Sequence, residues 1–217
     1  MPAHLRGQDL ERIPTDRRVV ALTFDAGANA DAVAPILTTL AREQVTGTFF
    51  LTGAFVRQFP DESRAVVDAG HRLGNHSVTH PSFTSLTDDE IRAEVRDAEA
   101  DIITHAGADP RPYFRFPYGD RDARTIAAVN DLEYIAVRWT VDTLGWQGTS
   151  GGRSAGEVTR RVLDTAQPGQ IVLMHVGSHP TDGSTLDADA LPGIISGLRD
   201  AGYGFVTLDV LLSPDGS

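Results

Sequence analysis

Short β-branched or aromatic runs alternate with helix-period segments along this whole chain, an order that leaves few folds open. Strand-like runs fall at about 19–24, 47–52, 71–74, 113–116, 133–137, 139–142, 170–175 and 204–207, bounded by Gly, Pro or Asp. Between them, segment 30–43 carries Val33, Ile36, Leu37 and Leu40 on one helical face, and 61–69 is a shorter, weaker helix. Thr87-Asp88-Asp89-Glu90 is a capping box ahead of Ile91, Val95, Ala98 and Ile102, and Ser154-Ala155-Gly156-Glu157 repeats the device ahead of Val158, Val162 and Leu163. A last helix is expected over about 188–201, ending at Gly202. Such alternation argues for a mostly parallel sheet with outer helices, either an open doubly wound sheet or a closed barrel. In both, the loops that follow the strands converge at one end, where α/β folds keep their ligands.

Composition bounds what the fold can serve. With 217 residues, 41% hydrophobic and 23% charged, the chain can bury one substantial core, and no break in composition divides it, so one domain over 1–217 is expected. The Gly-rich stretch 148–152 reads as a surface loop. A net charge of −11 without a Lys/Arg stripe opposes binding to nucleic acid. No apolar run approaches the roughly 20 residues of a membrane-spanning helix, and Met1-Pro2-Ala3-His4 lacks the pattern of a signal peptide. The absence of cysteine rules out thiolate nucleophiles and Cys-ligated metal.

Polar clusters stand at the predicted strand ends. Thr23-Phe24-Asp25-Ala26-Gly27 closes the first long apolar run and puts an acid at a strand mouth, as a turn former, a cap or a catalyst. His76 and His80, spaced i, i+4, point the same way if they share a helical turn, and neutral imidazoles are common ligands for zinc and similar ions; a surface His and a hydrogen-bonded loop His is the plain alternative. His175 closes the apolar strand 171–174, placed either for proton transfer or as a core histidine bonded to a carbonyl. Arg115, in an aromatic segment, needs a buried anion, with Asp25 and Asp142 as candidates. Trp139 and Trp146 are sugar platforms or plain packing. His179 and Asp182 read as exposed loop residues.

Taken in order, these segments resemble the motifs of the polysaccharide deacetylase (NodB-homology, carbohydrate esterase family 4) superfamily from about Val19 to Leu211. The resemblance implies a distorted (β/α) barrel, usually of seven strands, that removes acetyl groups from N-acetylated glycans or acetylated xylan with a divalent metal: zinc first, with cobalt or nickel as alternatives. It implies Asp25 as general base and His76 and His80 as metal ligands. From Arg115-Phe116-Pro117-Tyr118-Gly119 it implies Arg115 orienting the base and the Tyr118 N–H binding the oxyanion. Asp142 and Trp146 keep two defined positions of the fourth motif, as substrate contacts; Leu173 lines the acetyl-methyl pocket and His175 is the general acid. It further implies a carbohydrate partner and a secreted or envelope location; a monomer is expected.

Two positions depart from that pattern. Ala26 stands where a metal-binding Asp is expected, and Gly145 where the fourth motif has its second Asp. Asp25 itself, or Asn29 or Asp31 in the following loop, is then the available source of a replacement oxygen. A catalytically silent glycan-binding protein and an acetylxylan esterase are the rival readings.

Overall fold

The computed structural model describes residues 1–212. The strands are β1 (Asp9–Leu10), β2 (Val19–Ala26), β3 (Thr48–Leu51), β4 (Arg72–Asn75), β5 (Tyr113–Phe114), β6 (Ile135–Val137), β7 (Val141–Asp142), β8 (Gln170–His175) and β9 (Gly204–Phe205). They form one sheet in the order β1-β6-β5-β4-β3-β2-β8-β7, with β9 also on β2, and every ladder is parallel. The helices are α1 (Val33–Arg42), α2 (Gly53–Gln58), α3 (Pro60–Asp68), α4 (Asp88–Ala106), α5 (Ala123–Asn130), α6 (Ala155–Asp164) and α7 (Leu186–Asp200).

The sheet curls into a distorted barrel whose gap is spanned by β1 and the segment after it. The Arg138 N–H donates to the Leu10 carbonyl (2.8 Å), the Thr140 hydroxyl to the Glu11 carbonyl (2.6 Å) and the Ile13 N–H to the Gly169 carbonyl (2.8 Å). Among the described residues the strands number nine where seven were expected, because two-residue pieces such as β1 and β9 enter the sheet.

Strand alternation sorts the two faces of β2. Val20, Leu22, Phe24 and Ala26 belong to the apolar cluster that also holds Ile36 and Leu40 of α1, Val158 and Val162 of α6, and Leu191 and Ile195 of α7. Ala21 packs instead in the barrel interior with Phe50, Tyr113 and Ile171. Asp25 shares the inner face of Ala21, and Ala26 the helix-facing side. On β8 the same rule sends Val172 and Met174 to the helices and Ile171 to the interior, with Leu173 and His175 above it at the mouth.

Local signals explain the helix ends. Thr87 and Glu90 form both bonds of a capping box at α4, and Gly107 at φ 84° ends that helix in the left-handed region. At α6 the expected box is half made: Ser154 accepts from the Glu157 N–H, while its hydroxyl goes to the Glu157 carboxylate. Helices α2 and α5 were not expected; Thr52 caps the first and an Asp122–Thr125 box the second. Among the described residues no helix is long and apolar enough to cross a membrane.

Candidate active site

A cleft of about 540 Å³ opens at the C-terminal ends of the strands, lined by Asp25, His76, His80, Tyr118, Asp142, Trp146, Leu173 and His175 among others. The barrel thus gathers at one mouth the side chains that the sequence scatters over 150 positions or so. Arg115 lies beneath, with no exposure at all.

Asp25 is the electrostatic centre. Its Oδ1 accepts from Arg115 Nη1 at 2.7 Å, and its Oδ2 faces His76 Nε2 at 3.4 Å. Burial acts most strongly and raises this carboxyl, but the Arg115 guanidinium together with His76 and His175 outweighs it, so the net shift is downward and Asp25 is ionised. The guanidinium is itself held by the carbonyls of Val137 (3.3 Å) and Arg138 (2.9 Å) and lies 4.1 Å from the Phe50 ring centroid. Of the two anions considered for Arg115, Asp25 is the partner.

The two imidazoles meet through a loop and not through the helical turn that their i, i+4 spacing allows. Residues 76–80 follow β4 without helical structure, and Ser77 (φ 67°) and His80 (φ 60°) adopt left-handed backbone conformations. Several bonds impose that bend: Asn75 Oδ1 accepts from the Ser77 N–H (2.9 Å), Ser77 Oγ from the His80 N–H (3.1 Å), and Glu94 Oε2 from the N–H groups of Val78 and Thr79 (2.8 and 2.9 Å). The rings end 4.7 Å apart, edge to face.

His76 Nδ1 lies 2.8 Å from the Arg115 carbonyl, which can only accept, so Nδ1 carries the proton and the Nε2 lone pair faces Asp25. Burial lowers the pKa of His76, and burial together with His76 lowers His80 to about 4. Both rings are therefore neutral near pH 7. An imidazole whose far nitrogen is tied to a backbone carbonyl, and whose near lone pair faces a carboxylate, suits a cation. Chemically the pair fits a divalent ion through two nitrogens, although among the described residues no group of three His, Asp or Glu side chains is arranged to hold one.

Position 26 contributes nothing to that set, since Ala26 lies on the helix-facing side and is 1% exposed. Asn29 and Asp31 do not replace it. Asn29 Oδ1 accepts from the Ser178 N–H (2.8 Å), its Nδ2 donates to the Ser178 carbonyl (3.0 Å), and Asp31 accepts from the Ser178 hydroxyl. Both clamp the loop after β2 to the loop after β8 and lie outside the cleft lining. Asp25 is the remaining oxygen at the imidazole pair.

His175 stands beside Asp25, the two being partners in the β2–β8 register. Its backbone N–H donates to Asp187 Oδ2 (2.8 Å), and its Nδ1 faces the same oxygen at 3.6 Å, an ion-pair contact too long for a formed hydrogen bond. Burial opposes the charged imidazole, but the three carboxylates Asp187, Asp25 and Asp142 together overcome it, and the pKa is raised. Asp187 went unread in the sequence because it fell just ahead of the expected helix start at 188. Its signal was an acid flanked by buried apolar residues, Leu186 and Ala188, in a first helical turn.

At the rim, Tyr118 is 72% exposed, has φ 58° and packs its ring edge against His80 at 4.5 Å. The Trp146 indole N–H donates to Asp142 Oδ2 (3.3 Å) with half of the residue exposed. His179 and Asp182 join the Ser150 loop to the 179–184 loop beside the cleft without lining it.

The model of the family described as polysaccharide deacetylase matches residues 12–137, more than half of the chain. The chain belongs to the polysaccharide deacetylase family. It is 34% identical over 195 residues to a peptidoglycan-N-acetylglucosamine deacetylase of Bacillus cereus, covering 90% of this chain and 68% of that one. A second relative, the peptidoglycan-N-acetylglucosamine deacetylase PgdA of Listeria monocytogenes, is 32% identical over 211 residues, 97% of this chain but 42% of its own length. The chain therefore spans less than half the length of that protein. Among solved structures, a pseudoenzyme of the CE4 family from Bacillus anthracis superposes with a TM-score of 0.86 at 28% identity, over 95% of this chain and 69% of that chain. A mutant of that pseudoenzyme is described as having restored enzymatic activity.

Proposed function

We propose that this family member is a metal-assisted deacetylase of N-acetylated amino sugars in a peptidoglycan-like or chitin-like polymer. The observation that carries the reading is the adjacency of an ionised, Arg-paired carboxylate and an imidazole of raised pKa, on neighbouring strands, beside two neutral imidazoles. The names of the relatives support the N-acetylglucosamine class and an envelope or extracellular place of action. A monomer suffices for this chemistry.

A divalent ion held by His76 and His80, zinc first with cobalt or nickel as alternatives, would polarise the acetyl carbonyl and acidify the attacking water. Asp25 accepts the proton that the water gives up as it adds to the carbonyl carbon. Arg115 keeps this carboxylate ionised and fixed in direction, at some cost in basicity. His175, protonated, hands a proton to the amide nitrogen as the carbon–nitrogen bond breaks, leaving acetate and a free amine. The Tyr118 N–H takes the developing oxyanion. Leu173 bounds the space for the acetyl methyl, and Asp142 with Trp146 offers a polar edge and an aromatic face to the sugar.

Two observations favour a second reading. Ala26 removes a ligand, and a superposable neighbour is a pseudoenzyme, so a silent glycan-binding protein with the same cleft is the alternative. An acetylxylan esterase differs from the first reading in its leaving oxygen alone. Acetate release from chitooligosaccharides, peptidoglycan fragments and acetylated xylan, measured with added zinc, cobalt or nickel and after chelation, separates the three. Metal-dependent release from an N-acetyl substrate supports the deacetylase; saturable calorimetric binding of oligosaccharide without release supports the binder.

A further inference from the structure

Gly145 and Asp187 share one volume. A Cβ built on Gly145 would overlap the Asp187 carboxylate, the side chain that projects from the first turn of α7. Thr143 donates its hydroxyl to Asp187 Oδ1 (2.6 Å) and the His175 N–H donates to Oδ2 (2.8 Å), so the carboxylate is fixed from two elements and is 3% exposed. A buried carboxylate is retained when its partners return what desolvation takes away. The helix N-terminus adds to that return, since its backbone N–H dipoles favour negative charge.

His175 faces the same carboxylate. Its Nδ1 is buried and has no formed hydrogen bond, and the oxygen it faces is Asp187 Oδ2 at 3.6 Å. The deacetylase pattern described above has an acidic residue at position 145, where this chain has glycine. A side chain at 145 and the Asp187 carboxylate are mutually exclusive, and the chain has the second.

We propose that Asp187 is the positioning residue of His175, a carboxylate delivered by α7 that replaces the one absent at position 145. It holds the proton on Nδ1, which leaves Nε2 as the nitrogen that exchanges a proton in the cleft. The titratable groups around this imidazole are Asp187 on α7, Asp25 on β2 and Asp142 on β7, with His76 and His80 on the loop after β4. Asp187 is the one placed against Nδ1. The role rests on the deacetylase reading for its use in catalysis, but not for its existence.

The test is an imidazole-resolved NMR titration of His175, run on the full chain in chelator so that turnover plays no part. In Asp187→Asn the His175 titration is expected to fall by about one pH unit or more, the scale of losing an opposite charge at this range, with loss of the Nδ1–H tautomer. In the double variant Gly145→Asp with Asp187→Ala, the emptied volume accepts the new side chain, and the titration returns toward that of the parent. A folded Asp187→Asn protein whose His175 titrates as before overturns the proposal. If that variant does not fold, a folded double variant with no recovery overturns it instead. Should the parent release no acetate while these shifts occur, the positioning role stands and the deacetylase reading fails.

Discussion

Asp25 and His175 are register partners on adjacent parallel strands, their Cα atoms paired across β2 and β8. Because side chains alternate on a strand, a shift of one residue in either strand would send one of the two to the helix layer. The apolar residues below them, Ala21 and Ile171 on the interior and Leu22 and Val172 against the helices, fix that register. Ordinary core packing therefore sets the distance between the proposed base and acid.

Breaking the buried ion pair should be costly. Arg115→Gln leaves Asp25 desolvated without its cation and is expected to destabilise the fold by about 3–5 kcal/mol. Asp25 in the parent has a lowered pKa, so its contribution is present above the unfolded carboxyl value and is lost as pH falls through the folded one. Urea unfolding at neutral and acid pH should show that acid-sensitive increment in the parent and its absence in the variant.

His80 titrates at about 4 in the fold against about 6.5 unfolded. Unfolding therefore takes up a proton between those values, and stability falls as pH drops from about 6.5 toward 4. The lowered pKa values of His76 and His71 act in the same sense. His80→Asn, which tolerates the left-handed backbone, should flatten part of this decline in chelator; an unchanged slope of urea midpoint against pH would count against the assignment.

Glu94 holds the loop that presents both imidazoles, accepting two backbone N–H groups and the Thr79 hydroxyl. Glu94→Ala is expected to weaken zinc binding by about 10–100-fold, the usual effect of removing a group that orients metal ligands. Calorimetric titration checks this, and equal affinities would detach the loop from metal binding.

Much of this molecule was legible because the informative residues are local. Long strands such as β2 and β8, the α4 capping box and the polar clusters at strand ends each depend on a few neighbouring positions. Two-residue β1 escaped notice, since a strand that short carries no period. Helix α2 is six residues with a capping signal inside what reads as a strand end. The His76–His80 spacing suggested a helical turn, whereas the bend depends on Asn75 and on Glu94, the latter on a helix that begins beyond the motif. Asp187 required knowing which volume glycine vacates at 145, a three-dimensional fact.

Trp146 is half exposed and bonded to Asp142 through its indole nitrogen. Trp146→Ala should raise KM for an oligosaccharide by up to about tenfold, equivalent to about 1.4 kcal/mol, with little change in kcat. Its Tm should stay near that of the parent, because little packing is lost. A collapse in kcat would place the ring in the chemistry instead of at the sugar.

Asp25 and His175 are the proposed base and acid for an N-acetyl sugar. Acetate release from an N-acetylglucosamine oligomer, with zinc supplied, should be measurable for the parent and lower by at least about 10²-fold in Asp25→Asn and in His175→Ala. Turnover undiminished in either variant, or no release by the parent with any of the three metals, would contradict it.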